Sequence, residues 1–357
     1  MDKVDYYSKK ILVINNYSMK KTMKWAKAKF LPFHHVWGID ELEKHYKLRF
    51  LNYRCPRVMS RMHMAKLYYI VFQLLSLLMS LRCECIYAAA SPYIDLLAFL
   101  HYKGWMKKRI YMIVHHPGNF SLYKMSYTKL IFISRVSYDK ACQDYPSQKE
   151  MFAYDEWGPD IAFYDHVTVD DVKREEGKCQ TFVSNGKSNR DNNCLVEAAR
   201  GSSCKVVIIC TNNSFPTNYN KDIDKNVQIM QQSVETIMNR KMMSYSNMAK
   251  LMSQFNVVVI PVPEGYASLC GLTSFNDAIA MGKPVIIADT ANLGIDVESE
   301  GFGFVYRAGD AQDLRSKMDK FIKNPGLIDS YGQKARAYAD ANDNKSFSRR
   351  LLEIIES

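Results

Sequence analysis

The chain has 357 residues, of which 47% are apolar and 24% charged, a composition typical of a globular protein and not of a disordered one. At this length we expect two domains of ordinary size, each with its own core. The longest apolar run, residues 67–79, is shorter than the roughly 20 residues that a membrane-spanning helix needs. We therefore expect a buried or surface-lying helix there.

Charge is distributed unevenly along the chain. Residues 1–150 contain 25 Lys and Arg against 10 Asp and Glu, while the whole chain has a net charge of +11. A basic half is typical of a surface that meets nucleic acid, anionic lipid or a phosphorylated substrate, and a merely solvated surface is the alternative. No recognisable nucleic-acid-binding module accompanies the charge, so we do not expect nucleic acid as a partner.

The nine cysteines form no regular framework, and several lie in apolar runs where a reduced thiol is a small core residue. Cys83 and Cys85 lack the two-residue spacing of a zinc site. We expect no metal. Because no secretory signal opens the sequence, a reducing cytoplasm is the expected location.

Short apolar strands alternate with helical patterns along the chain. In the first half the predicted strands are 10–15, 85–90, 109–114 and 130–134, and the predicted helices are 36–46, 57–82, 93–104 and 136–144. In the second half the predicted strands are 180–184, 205–210, 227–230, 256–261, 284–288 and 303–306, and the predicted helices are 191–199, 244–254, one after residue 271 and three at the end. Apolar strands separated by helices predict parallel sheets, and two such series predict an α/β protein of two doubly wound, Rossmann-like domains facing across a cleft.

The segment 156–178 interrupts this alternation with charged and turn residues, and we interpret it as a linker. The predicted domains are therefore 1–168 and 169–340. A C-terminal helix over 341–357 is expected to pack back on the first domain.

The stretch "GLTSFNDAIAMGKPVIIAD" (271–289) predicts a helix that starts at the carboxyl end of a strand. The first amides of such a helix are unpaired and suit a phosphate group. The residues that would supply them are Gly271, Leu272, Thr273 and Ser274. Asp277 lies one turn further in, where a carboxylate can accept hydrogen bonds from the two hydroxyls of a ribose, or where it is simply an exposed helix residue.

A second loop at a strand end, "SNGKSNRD" (184–191), carries Lys187 and Arg190 just before a predicted helix. Two cations at this place can neutralise a diphosphate.

The first domain offers histidines at the corresponding position. His115 and His116 end a predicted strand before a Pro-Gly turn, where a histidine can act as a base, a hydrogen-bond donor or a ligand. Asn16, which follows the first strand, and the loop residues His35, Trp37 and Gly38 are candidates to line the cleft on the acceptor side, although Trp37 is equally compatible with packing.

Four segments together resemble the GT-B glycosyltransferases, in particular the family-4-like enzymes that use nucleotide sugars. They are "DAIAMGKPVIIAD", similar to that group's Glu-Ala-Met-Ala-x-Gly-Lys-Pro-Val-Ile motif, then "GFGFVYRAGDAQDLRSKMDKFIKNP", "SNGKSNRD" and "LIFISRVSYDKACQDYP" with the "WGPDIAFY" that follows it. The resemblance runs from about residue 10 to residue 340. It implies a GT-B fold and a role for each candidate residue.

By this resemblance Asp277 holds the donor ribose, and Lys187 and Arg190 hold the diphosphate with the amides of residues 271–274. The histidine that contacts the transferred sugar is His116, with His115 as the alternative. The family usually has a pair of glutamates with seven residues between them. Here Asp277 corresponds to the second, and Leu269 stands at the position of the first.

We therefore expect an enzyme that moves a hexose or related sugar from a nucleotide diphosphate to a saccharide or lipid-linked saccharide acceptor, in surface polysaccharide or glycoconjugate synthesis, with no metal or other cofactor. The alternative is a catalytically inactive GT-B module that binds a glycan or a protein partner. The basic first domain, with Arg57, Arg61 and Lys66 at the start of a predicted helix, also leads us to expect peripheral contact with anionic lipid at the inner face of the cytoplasmic membrane.

Overall fold

The computed structural model describes residues 9–53, 64–89, 93–115, 122–168, 179–231, 243–266 and 268–357. The chain divides into two compact units. One consists of residues 1–28, 33–157 and 344–357, and the other of residues 29–32 and 158–343. Each unit has its own parallel sheet.

The strands of the first unit are β1 (Lys10–Asn15), β2 (Lys47–Asn52), β3 (Cys85–Ala88), β4 (Arg109–Val114), β5 (Lys129–Phe132) and β6 (Phe152–Tyr154). Its helices are α1 (Met19–Lys27), α2 (Ile39–His45), α3 (Ala65–Ser80), α4 (Asp95–Tyr102), α5 (Arg135–Asp144) and, at the end of the chain, α12 (Asn344–Glu356). The described strands form one six-stranded parallel sheet in the order β2-β1-β3-β4-β5-β6. The central strands β3 and β4 are almost wholly buried, as their continuous apolar sequences require.

The strands of the second unit are β7 (Thr181–Asn185), β8 (Lys205–Cys210), β9 (Val227–Gln231), β10 (Val257–Ile260), β11 (Val285–Ala288) and β12 (Gly303–Tyr306). Its helices are α6 (Ile161–Thr168), α7 (Asn192–Ala199), α8 (Tyr245–Ser253), α9 (Leu272–Ala280), α10 (Ala311–Lys323) and α11 (Gly326–Ala341). The described strands again form a six-stranded parallel sheet, in the order β12-β11-β10-β7-β8-β9. The prediction of an α/β protein with two doubly wound parallel sheets is confirmed.

The segment 156–178, which the sequence indicated as a linker, contains a helix. Residues 161–168 form α6, and Phe163, Tyr164 and Val167 bury it against the second unit, in contact with residues of α8 and α9. Residues 158–168 therefore group with the second unit, whereas the sequence analysis placed them in the first domain. The Gly-Pro pair and the acids around this helix are loop signals that its three apolar residues outweigh.

The C-terminal helix α12 packs within the first unit. It buries Phe347, Leu351 and Ile355, and Arg350 donates to Asp155 Oδ1 over 2.7 Å. Burial raises the pKa of Asp155 to about 7, and the neighbouring Arg350 opposes that rise.

Among the described residues, no helix combines the length and the apolar character needed to cross a membrane.

Gly38, the N-cap of α2, packs against α12 so closely that no side chain fits at this position. Its φ of +75° lies in the left-handed region, and a Cβ atom would come within 2.4 Å of Leu351 Cδ2. We predict that Gly38→Ala lowers the free energy of unfolding of the first unit by about 2–4 kcal/mol, the sum of a left-handed L-residue and an overpacked neighbour.

The matched control is Gly104→Ala, because Gly104 has a φ of +70° with nothing within 4 Å of the added atom. That change should cost only about 1 kcal/mol. Urea unfolding followed by tryptophan fluorescence reports the first unit alone, since the four tryptophans (25, 37, 105 and 157) all belong to it. Equal losses in the two variants would contradict the packing role of Gly38.

Candidate functional site

The second sheet reverses its strand order between β7 and β10, since the strands that follow β7 extend the sheet on one side and those that follow β10 extend it on the other. Ligands of doubly wound sheets bind at such a reversal, beyond the carboxyl ends of the strands. The loop after β7 carries Lys187 and Arg190, and the loop after β10 leads into α9. The topology thus brings both predicted phosphate-binding segments to one place.

The loop after β7 folds back on its own strand through Arg190. The Arg190 Nε atom donates to the backbone oxygen of Asn185 over 3.2 Å, and Asp191 accepts from the amide of Cys194 as the N-cap of α7. Gly186 leaves the necessary room, because a Cβ atom there would come within 2.5 Å of the Arg190 side chain.

The start of α9 lies against this loop. Gly271 is its N-cap, with a φ of +88°, and an added Cβ atom would lie 2.4 Å from Ile260 Cγ2 on β10. The first intrahelical bond runs from Phe275 N to Gly271 O over 2.8 Å, so the amides of residues 272–274 precede the helical ladder. Arg190 Nη2 donates to Ser274 Oγ over 3.0 Å, and Ser274 Oγ donates to Asn185 O over 2.9 Å.

Among the described residues, Arg190 is held by neutral groups. The acceptors of its hydrogen bonds are the backbone oxygens of Asn185, Ser188 and Asn189, the sulfur of Cys270 and the hydroxyl of Ser274. Within the described part of the chain, its positive charge is therefore positioned beside a helix N-terminus without a carboxylate to neutralise it. A guanidinium and free helix amides are the groups that bind phosphate oxygens.

Lys187 lies in the same loop with its side chain exposed. Its backbone oxygen accepts from Thr211 Oγ1 over 2.6 Å, which ties the loop to the end of β8. The ammonium group itself makes no hydrogen bond or ion pair with the residues that the structure describes, so it can turn toward an anion held by Arg190.

Asp277 is more deeply enclosed than the sequence analysis expected. Asp277 is only 4% exposed. Its Oδ1 atom accepts hydrogen bonds from two hydroxyls, that of Tyr164 and that of Tyr245, the latter over 2.6 Å. Its Oδ2 atom accepts from Asn185 Nδ2 over 3.3 Å. Burial raises the pKa of Asp277 to about 6, while these three hydrogen bonds lower it. Since Oδ1 already has two donors, one further hydrogen bond at Oδ2 is the capacity that remains for a ligand.

Asn185 connects the two parts of the site. Its backbone oxygen accepts hydrogen bonds from Arg190 and Ser274, and its side-chain Nδ2 atom donates one to Asp277. Its Oδ1 atom is buried and has no hydrogen-bond partner among the described residues. A buried acceptor without a donor is costly, and a ligand hydroxyl would satisfy it.

Three of these residues were not predicted. Tyr164, Tyr245 and Asn185 lie 113, 32 and 92 residues from Asp277 along the chain, so no local spacing connects them. The one signal that could have found them is the apolar neighbours of Asp277 in the sequence, Phe275 and Ile279 among them, because a buried acid needs hydrogen-bond donors.

In the first unit, the residues proposed to line a cleft have packing contacts. Trp37 is 8% exposed, stacks on Trp157 with ring centres 4.7 Å apart, and donates from Nε1 to the Tyr17 hydroxyl over 2.7 Å. Gly38 faces Leu351, as described above. The backbone oxygen of His35 accepts from the Tyr17 hydroxyl over 2.8 Å.

Asn16 and His115 follow the carboxyl ends of β1 and β4. Asn16 is exposed, and His115 is partly buried with its ring 4.6 Å from that of Trp37. The Nε2 atom of His115 lies 2.7 Å from the backbone oxygen of Ala89, so in this geometry Nε2 carries the proton. His116 lies outside the described residues.

No protein-family model and no curated protein sequence matches the chain. Solved structures do match it over nearly its whole length. A glycosyltransferase from Rickettsia africae is 16% identical, with 97% of each chain covered and a TM-score of 0.63. HepE of Anabaena in complex with UDP is 12% identical, with 97% of this chain and 99% of that chain covered and a TM-score of 0.66. The sucrose-phosphate synthase of Thermosynechococcus elongatus is 10% identical, with 98% of each chain covered and a TM-score of 0.66.

These similarities define the class of architecture: the chain has the GT-B fold of glycosyltransferases. The resemblance found in the sequence motifs is thereby confirmed at the level of the fold.

Proposed function

We propose that the protein is a glycosyltransferase that uses a nucleotide-diphosphate sugar as donor. The observation that carries the proposal is the positive charge of Arg190, held by neutral groups beside the N-terminus of α9 at the strand reversal of a GT-B fold. Structural neighbours include HepE of Anabaena with UDP and a trehalose-6-phosphate protein of E. coli with UDP-2-fluoro glucose, which supports a nucleotide-sugar donor.

The donor groups would be recognised as follows. Arg190, Lys187 and the first amides of α9 hold the diphosphate, while Asp277 Oδ2 and Asn185 Oδ1 offer two acceptors for ribose hydroxyls. When the bond between the sugar and the diphosphate breaks, negative charge develops on the departing phosphate oxygen. Cations and amides already oriented toward that oxygen stabilise the transition state more than the ground state.

The finer assignments follow the sequence resemblance. We propose that a saccharide or a lipid-linked saccharide accepts the sugar in surface polysaccharide or glycoconjugate synthesis, that the donor sugar is a hexose or a related sugar, and that the protein works at the inner face of the cytoplasmic membrane. His116, with His115 as its alternative, is assigned to the transferred sugar. Asn16, His35, Trp37 and Gly38 remain our candidates for the acceptor side; Asn16 is exposed, whereas Trp37 and Gly38 also have the packing contacts described above.

The competing function is a GT-B module that binds without turnover, and the observation in its favour is Leu269 at the position where the related enzymes have a glutamate. Mass spectrometry of a panel of UDP- and GDP-sugars incubated with the protein separates the two. We expect slow donor hydrolysis, and His116→Ala should reduce it without weakening nucleotide binding. A protein that binds nucleotide diphosphates and cleaves none of the donors, with or without added saccharide acceptors, would support the inactive module.

The diphosphate assignment predicts a selective loss of affinity. Arg190→Gln keeps hydrogen-bond donors for the loop but removes the charge, and should weaken UDP or GDP binding about 10- to 100-fold, the range of hydrogen bonds between charged groups. Lys187→Gln should have a smaller effect because its ammonium group is exposed. Binding of the nucleoside alone should hardly change in either variant.

Lys205→Gln is the matched control for isothermal titration calorimetry. Lys205 is exposed and begins β8, so it lies at the amino ends of the strands, on the opposite edge of the same sheet. Equal weakening of nucleoside and nucleotide diphosphate by Arg190→Gln would assign that residue to the loop structure alone and place the phosphate elsewhere.

The ribose assignment is tested with the ligand as well as the protein. Asp277→Asn should weaken UDP about 10-fold but leave 2′,3′-dideoxy-UDP nearly unaffected, because the second ligand lacks the hydroxyls that Asp277 would accept from. A role confined to the contacts with Tyr164 and Tyr245 predicts the same loss for both ligands. Tyr245→Phe, which removes one of those internal donors, provides the comparison for a purely internal disturbance.

A further inference from the structure

Helix α3 of the first unit has the reverse of the usual side-chain distribution of a surface helix, with polar residues on its buried face and large apolar residues on its exposed face. Its buried residues are Phe72, Gln73, Ser76 and Ser80, three of which are polar. Its opposite face carries six large apolar side chains that are 44–62% exposed, namely Leu67, Ile70, Val71, Leu74, Leu75 and Leu78. Spacings of three and four residues place these six on one continuous stripe.

Contacts with α4 hold the helix in this orientation, among them the hydrogen bond that the Tyr69 hydroxyl donates to Asp95. Gln73 Oε1 accepts from the amide of Leu96 on α4 over 3.1 Å. The buried hydroxyls of Ser76 and Ser80 donate within α3, to the backbone oxygens of Phe72 and Leu77 over 2.8 and 2.6 Å, so the inward-facing polar groups are satisfied without a partner outside the helix. A rotation of α3 that buried its leucines would break the Gln73 bond and expose Phe72, so the apolar stripe faces outward as a fixed feature of the fold.

Among the described residues of and just after α3 and α4, the exposed charges are positive, whereas Asp95 at the start of α4 is half-buried and accepts from the Tyr69 hydroxyl. Helix α3 contains no acidic residue, and its cation Lys66 and the following Arg82 are exposed. Helix α4 packs beside α3, and after it come the exposed Lys103 and Trp105, the latter 75% exposed. Lysine, arginine and tryptophan around an apolar helix face are typical of segments that lie in a membrane interface.

We infer that this face of α3 docks on the surface of an anionic lipid bilayer. Sixteen residues make a helix about 24 Å long, shorter than the roughly 30 Å hydrocarbon core, so α3 would lie along the interface. A second copy of the chain is disfavoured as the occupant, because it would bring two basic surfaces together. The inference rests on the proposed function only in that a lipid-linked acceptor would explain why such a surface is useful.

Vesicle co-sedimentation tests the inference with the full chain. Wild-type protein should bind vesicles of phosphatidylcholine with 30% phosphatidylglycerol at low salt, bind pure phosphatidylcholine vesicles weakly, and lose part of its binding at 0.5 M NaCl. The double variant Leu74→Glu/Leu78→Glu should bind at least ten-fold more weakly. Lys66→Glu/Arg82→Glu should weaken binding and reduce its salt dependence.

Ile223→Glu is the matched control, since Ile223 is 60% exposed but belongs to the second unit, and it should bind vesicles like the wild type. Circular dichroism checks that each variant is folded. The inference is overturned if wild-type protein ignores anionic vesicles, if the leucine variant binds them as well as Ile223→Glu does, or if sedimentation velocity shows a wild-type dimer that the leucine variant dissolves. The last result would assign the face to a second copy.

Nucleotide binding by the same variants separates this inference from the proposed function. UDP or GDP affinity should be unchanged in the leucine variant, because α3 contributes no residue to the nucleotide site. A protein that binds vesicles but no nucleotide would overturn the donor assignment and support the lipid surface. A protein that binds nucleotide but no vesicles would overturn the lipid surface and support the donor assignment.

Discussion

The reversal of strand order between β7 and β10 is the constraint on which the candidate site depends. Parallel strands end at the same edge of a sheet, and at the reversal the loops after β7 and β10 leave in opposite directions, which opens a space between them. In that space the guanidinium of Arg190 lies beside the N-terminus of α9. Asn185 fixes the arrangement, because its backbone oxygen accepts from both Arg190 and Ser274. The charge is therefore positioned before any ligand arrives, which lowers the free-energy cost of organising the site upon binding.

The aspartate at position 277 has less capacity to accept hydrogen bonds from a ligand than an exposed acid would have. The carboxylate is one methylene shorter than that of a glutamate, and it remains within the protein, where two tyrosine hydroxyls and one amide meet it. Burial raises the pKa values of Tyr164 and Tyr245 well above their ordinary range, so both hydroxyls keep their protons and donate. The acid thereby connects α6 and α8 to α9, and that internal role limits its capacity for a ligand. Asn185 Oδ1, a buried acceptor of the same site that has no hydrogen-bond partner among the described residues, widens the set of groups that can recognise a diol.

Sequence patterns predicted the parts of the fold that are uniformly apolar. The predicted bounds of β1, β4, β8 and β12 coincide with the observed ones, because continuous burial leaves a continuous apolar run. The prediction missed β2, whose Lys47 and Arg49 obscure an edge strand, and β6, which has only three residues. The loop with Lys187 and Arg190 lies against the start of α9 because the topology brings the two segments together, and their role toward a phosphate stays a prediction. The partners of Asp277 were not predicted, because long-range hydrogen bonds leave no periodic trace in the sequence.

Helix α3 departs from the usual burial of large apolar side chains, and this departure has a cost in stability. A fully buried leucine contributes about 1.5–3 kcal/mol, and six half-exposed apolar side chains forgo several kcal/mol of that stabilisation. Native proteins have net stabilities of only about 5–15 kcal/mol, so the loss is large on that scale. The fold does not reduce it by rotating the helix, because Gln73 is committed to α4 and Phe72 to the core. Such an arrangement fits the lipid surface inferred above, where an apolar face forgoes less stabilisation than in water and the exposed Lys66, Arg82 and Lys103 would meet negative charge.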